Sequence, residues 1–158
     1  MFSSLRYPTK QQSLIWLKRR QGVIPSAIAK EMGVSRPFIS KAQGIAEARI
    51  EKLLRNAAYV NRINIEQISG KYGFAVGYCS AYDSRTYVTY SPTIGVQMWF
   101  SHKGECQSCA QLNECEKILK ELGKEWRIKI PAALQPTDIA VYLFDSIVGR
   151  LGWIRTEG

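Results

Sequence analysis

The chain has 158 residues, a formal charge of +9 at neutral pH, 46% hydrophobic residues and four Trp. This length allows one domain or two small ones, and the hydrophobic content supports a packed core and excludes global disorder. No apolar run approaches the roughly 20 residues that span a bilayer, and Met1 to Lys10 has no segment of signal-peptide type, so a cytoplasmic protein without membrane contact is expected.

The charge is unevenly spread. Residues 1–70 hold 12 Lys/Arg against 4 Asp/Glu, whereas residues 71–158 hold 10 against 9. A basic half joined to a neutral half suggests a polyanion-binding module attached to something else.

In chain order, Pro8 and Thr9 precede an amphipathic helix from Lys10 to Gln21. Leu14, Ile15, Trp16 and Leu17 supply its apolar side, Lys18, Arg19 and Arg20 its charged side, and Gly22 its stop. The segment Ile24 to Lys41 then carries a helix-turn-helix pattern. Ala29 is small enough for two helices to cross closely, and Gly33 comes four residues later, where the turn needs positive φ. Val34 and Ile39 close a small core, Ser35 caps the second helix, and Pro37 is tolerated in its first turn.

These residues resemble the helix-turn-helix of bacterial and archaeal transcription regulators, and more narrowly the archaeal Tfx-type and sigma-like variety, over residues 8–58. The resemblance implies that the helix starting near Ser35 enters the major groove of double-stranded DNA. Ser35, Arg36, Phe38, Ser40 and Lys41 are then its DNA-binding residues, Arg36 reading guanine or gripping phosphate and Lys41 gripping phosphate. Phe38 has a second reading as core. Lys18, Arg19 and Arg20 are either backbone contacts or a solvated charged face.

Beyond Lys41 the apolar positions Ile39, Ala42, Ala46, Ile50, Leu53, Ala57 and Val60 form a heptad-like stripe. It fits a homodimer seam, preferred here because such modules often bind two-fold half-sites, or burial against the protein's own second domain. Ile63, Ile65 and Ile68 read as a continued or new helix ending at Gly70. From Tyr72 the composition turns to Val, Tyr, Thr, Phe and Trp, predicting antiparallel strands at Phe74–Ala81, Thr86–Ser91 and Val96–Ser101, with a turn at Asp83-Ser84.

Cys106, Cys109 and Cys115 follow with C-x2-C-x5-C spacing; Cys79 lies 27 residues before Cys106, and the single histidine, His102, lies just ahead of the group. In a reducing cytosol this usage favours metal binding or redox chemistry over structural disulfides. Asn113 with Glu116 suggests a capping box for a helix running to Gly123, which puts Cys115 in the first turn, where free amides and the helix dipole favour a thiolate. Four cysteines match the ligand count of a 4Fe-4S cluster. Zinc is the alternative, held by the four thiolates or with His102 in place of Cys79. A Cys106–Cys109 thiol–disulfide pair and plain apolar burial of the cysteines are the remaining readings. The spacing is similar to that of WhiB-like iron–sulfur regulators, in the spacing alone.

Trp126, Ile128 and Ile130 alternate and predict a strand over Lys124–Ile130. A last helix starts at Pro136, carries Asp138 early and Arg150 late, and presents Ile139, Ala140, Leu143, Phe144, Ile147, Val148 and Leu151 as one apolar face. It is expected to lie on the sheet or on a partner subunit. Gly152 stops it, and Trp153 to Gly158 form a short tail.

The fold class is therefore α+β: an all-α helix-turn-helix domain with its connecting helix over 1–58, then a small antiparallel-sheet and helix sensor and dimerisation domain over 59–158. No phosphate-cradling loop, nucleophile elbow or paired-carboxylate motif is present, so no enzyme is expected. The implied function is a DNA-binding transcription regulator whose cysteine centre senses redox, oxygen or iron–sulfur status. The alternatives are a DNA-binding regulator with structural zinc and, from another class, a cluster-containing nucleic-acid enzyme or electron-transfer module.

Overall fold

The computed structural model describes residues 5–153 as a mixed α+β chain in two compact units, Met1–Trp99 and Phe100–Gly158. The division falls at the end of the sheet, whereas the expected boundary lies at residue 58, the end of the helix-turn-helix segment and its connecting helix. Of the expected tail, residues 154–158 lie outside the described residues.

The first unit begins with α1 (Lys10–Arg20), opened by a capping box in which Thr9 and Gln12 each bond the other's backbone amide. Ile15 and Trp16 are buried, whereas Leu14, expected on the apolar side, is 45% exposed. α2 (Pro25–Met32) ends at Gly33, whose φ of 67° and ψ of 36° are left-handed. The Val34 amide reaches back to the Ala29 carbonyl at 3.0 Å, closing a Schellman turn. Ser35 then caps α3 (Arg36–Val60), its Oγ accepting from the Phe38 amide at 3.2 Å. A core of Ile15, Ile28, Ala29, Ile39 and Ala42, with Val23, Met32 and Val34 at its rim, holds the three helices together.

α3 runs for 25 residues, and its apolar stripe is consumed within the same unit. Ala46, Ile50, Leu53 and Leu54 pack with Trp16 of α1 and with Ala75, Val88 and Tyr90 of the sheet. The seam assigned by preference to a homodimer is thus an intrachain core over most of its length. The stripe also drifts, as a straight 3.6-residue helix drifts against a 3.5-residue repeat. Leu54 and Ala58 are buried, whereas Val60 is 67% exposed.

Ile63, Ile65 and Ile68 form a strand, not a helix: β1 spans Ile63–Ser69. The chain leaves α3 through Asn61 and Arg62, the latter at φ 56°, and β-branched residues then favour extended backbone. β2 (Phe74–Cys79), β3 (Ser84–Ser91) and β4 (Gly95–Phe100) follow close to the expected positions. The sheet order is β1-β2-β3-β4, with β1/β2 and β2/β3 antiparallel and a register shift in β1 between Ile65 and Gln67. Asp83, at φ 47°, makes the β2–β3 turn. α3 covers the face bearing Ala75, Val88 and Tyr90; Phe74 and Tyr87 stack on the opposite face with centroids 5.9 Å apart.

Among its described residues the second unit holds a 3-10 turn at Cys106–Ser108, then α4 (Leu112–Glu125) and α5 (Pro136–Leu151), which pack on each other. Three expectations are corrected here. α4 is capped by Gln111 without a side-chain bond, so Asn113 lies inside the first turn and forms no capping box. α4 continues past Gly123, which is buried and leaves no room for a side chain, since a Cβ there would meet Ile130 Cδ1 at 2.6 Å. The strand over Lys124–Ile130 is absent. α4 instead closes on Arg127 at φ 52°, with Ile128 N–H on the Gly123 carbonyl at 2.9 Å. α5 has the predicted start, stop and buried face, with only Leu151 half-exposed.

Candidate functional site

The expected site residues form two sets: the basic and polar residues of the first unit, and the cysteines, of which Cys79 lies in the first unit and Cys106, Cys109 and Cys115 in the second. In the first, the three-residue connection Gly33-Val34-Ser35 turns the chain from α2 into α3, and the small core fixes their crossing. Ser35, Arg36, Phe38, Ser40 and Lys41 are all exposed at the start of α3. Phe38 is 41% exposed, so its core reading is withdrawn. No acidic residue occurs between Glu31 and Glu47, which leaves the Arg36 and Lys41 charges unopposed along this stretch of chain. Lys30, in the last turn of α2, is also exposed and was not singled out from sequence; a lone lysine has no spacing signal to reveal it.

Lys18, Arg19 and Arg20 behave differently. Lys18 Nζ lies 3.0 Å from the Glu31 carboxylate. Arg19 donates to Gln43 at 3.0 Å and to the Val23 carbonyl at 2.9 Å. Arg20 donates to the Tyr72 carbonyl at 3.0 Å and lies over the Trp16 ring, 4.6 Å from its centroid. This basic run, expected either to contact the DNA backbone or to form a solvated charged face, thus ties α1 to α2, α3 and the β1–β2 turn.

All four cysteines are free thiols. Cys79 ends β2 and is 1% exposed; strand alternation puts it on the face of Ala75, the face covered by α3. Cys106, Cys109 and Cys115 belong to the second unit. Cys106 is buried, Cys109 exposed and Cys115 half-exposed. The Cys109 amide donates to the Cys106 carbonyl at 3.0 Å, which folds the C-x2-C segment into a tight turn. Cys115 lies in the first helical turns of α4 with its amide already bonded to the Gln111 carbonyl, so the expected thiolate-stabilising donor is used. Its thiol is pushed up, not down: burial is the main cause, and the nearby Cys109, Cys106 and Glu114 add to it.

The donor set fits a thiophilic cation or an iron–sulfur cluster in kind, since Cys109 and Cys106 both lie near enough to Cys115 to disfavour its thiolate and a bound cation reverses that effect. It is not a ready-made cage: among the described residues no three His, Cys, Asp or Glu side chains already form a group that could hold a metal ion. His102 is exposed, and its Nδ1 donates to the Phe100 carbonyl at 2.8 Å.

No family model, curated protein or solved structure matches this chain. Among the described residues no helix is long and apolar enough to cross a membrane.

Proposed function

We propose that this chain is a DNA-binding transcription regulator, a binding protein and not an enzyme, whose first unit contacts duplex DNA and whose second unit carries a cysteine-ligated centre. The observation that carries the DNA half is the exposed first turn of α3 behind a three-residue, glycine-capped turn from α2, with Arg36, Phe38, Ser40 and Lys41 facing water. This is the arrangement by which a helix-turn-helix offers a helix N-terminus to the major groove. Ser35 and Lys41 then bond phosphates and Arg36 reaches a base edge. Lys18, Arg19 and Arg20 are left out of this interface because each already bonds within the unit, Lys18 to a carboxylate and the two arginines to neutral acceptors. A homodimer on a two-fold operator uses a surface other than the buried stretch of α3.

The centre has two readings. A 4Fe-4S cluster takes Cys106, Cys109 and Cys115 with Cys79 as the fourth thiolate, and it supplies a charge that responds to oxidants. Zinc takes the same three thiols with His102. Two observations favour zinc: Cys79 is buried on the α3 face of the sheet, and the His102 tautomer has the Nδ1–H to carbonyl bond that orients a ligating imidazole.

Fluorescence anisotropy with labelled duplex DNA across a salt series tests the DNA half. Arg36→Ala is expected to weaken binding by about 1–3 kcal/mol with relaxed sequence preference, and Lys41→Ala to reduce the log–log salt slope by about one. Salt-independent binding, or no binding by the wild type, overturns it. Anaerobic purification tests the centre: a brown protein with visible absorbance means iron–sulfur, a colourless one with one zinc means the second reading, and a metal-free one removes both.

A further inference from the structure

The second unit has a feature that cysteine spacing does not explain. Gln135 caps α5, yet its side chain makes no cap bond to the helix. It turns instead to the cysteine loop: Nε2 donates to the Gly104 carbonyl at 3.2 Å, and Oε1 accepts from the Cys106 amide at 3.2 Å. Two residues on, the Thr137 hydroxyl accepts from the Cys106 thiol at 3.6 Å. Thr137 is only 6% exposed and Cys106 only 7%. One end of α5 therefore grips the backbone on both sides of Glu105 and the sulfur of Cys106, 29 and 31 residues away in sequence. Cys109, three residues later, is exposed, with no comparable side-chain anchor among the hydrogen bonds described.

We propose that Gln135 and Thr137 are positioning residues for the thiol centre. They fix Cys106 as its preset donor, while Cys109 and Cys115 move to complete it. The inference rests on the three-thiol reading above, but it concerns residues that this reading does not contain. Metal binding releases the Cys106 proton to solvent, and the Thr137 hydroxyl then reverses its role and donates to the thiolate. An oriented hydroxyl of this kind is what a ligand's outer partner supplies to a metal site. Thr137→Val removes the hydroxyl at nearly constant shape. Thr137→Ser keeps it, and Gln135→Leu removes the backbone grip.

The test uses the full chain. In the metal-free protein under reducing conditions, the rate at which iodoacetamide modifies each cysteine is read by peptide mass spectrometry. Cys109 is expected to react fastest and Cys106 slowest. Thr137→Val and Gln135→Leu are expected to speed modification of Cys106 by about fivefold, the factor that loss of one buried hydrogen bond brings, while Thr137→Ser stays near the wild type. Co2+ titration, followed by thiolate charge-transfer and d–d absorbance, is expected to show binding weakened about tenfold in Thr137→Val and Gln135→Leu and restored in Thr137→Ser. Equal acceleration of Cys106, Cys109 and Cys115 signals general unfolding and overturns a specific positioning role, as do unchanged Cys106 rates. If the wild type takes up no Co2+, the metal reading falls separately, and the alkylation rates alone decide whether α5 positions Cys106.

Discussion

Cys115 shows how a residue's neighbours reverse what its place in a helix suggests. A cysteine early in a helix is expected to lose its proton easily, yet here burial disfavours the thiolate, and Cys109, Cys106 and Glu114 add negative potential. Because the folded thiol holds its proton more tightly than the unfolded one, its contribution to stability is intact at neutral pH and falls as pH rises through the ordinary thiol range. In the metal-free protein, the pH profile of Cys115 alkylation is expected to have a midpoint above the ordinary thiol value. Cys109→Ser moves the Cys115 midpoint down, Cys106→Ser moves it down less, and neither returns it to the ordinary value because burial remains. An unmoved midpoint in both variants places the sulfurs too far apart to act together.

The helices follow two rules at once. Periodicity sets the face they bury, and the residues at their ends set where they stop. Where the stop is Gly33 or Gly152, the end is visible in the sequence because glycine enters left-handed backbone without cost. α3 and α4 instead turn at Arg62 and Arg127, both at positive φ, which costs an ordinary residue about 1–2 kcal/mol. Nothing in an arginine announces that turn, so β1 was read as helix and α4 was ended too early, at Gly123. Along α3, stability separates the intrachain core from a dimer seam. Leu54, fully buried, is expected to lose about 2–5 kcal/mol on replacement by Ala. Val60→Ala is expected to change stability by no more than about 0.5 kcal/mol. Chemical denaturation at two protein concentrations checks both; a Val60 effect that is present at high concentration and fades on dilution restores the seam.

At the scale of the molecule, the helical module and the sheet share one core, since Trp16, Ala46, Ile50 and Leu53 meet Ala75, Val88 and Tyr90. The turn between α2 and α3 is therefore mounted on the sheet through α3, not joined to it by a linker. A fragment ending at Phe100 is expected to keep a cooperative thermal transition and, if the proposed function holds, salt-dependent DNA binding, with no response to metal. Circular dichroism and anisotropy on that fragment check this; a fragment ending near residue 58, which lacks the sheet half of the core, is expected to lose the transition.

By itself, the sequence determined what local chemistry determines: α1, the α2–turn–α3 segment, strands β2 to β4 and α5 with its ends. Each rests on short-range periodicity, capping or turn residues, which act within a few positions. It also singled out Arg36 and Lys41 as unopposed charges and the C-x2-C turn of Cys106 and Cys109. Only the tertiary structure decided which charges were free and which thiols were held. Lys18, Arg19 and Arg20 found partners 4 to 52 residues away, and Cys106 was gripped by Gln135 and Thr137 from the start of α5. Burial and pairing depend on what the chain brings together from a distance, and residue spacing along a sequence carries no record of that.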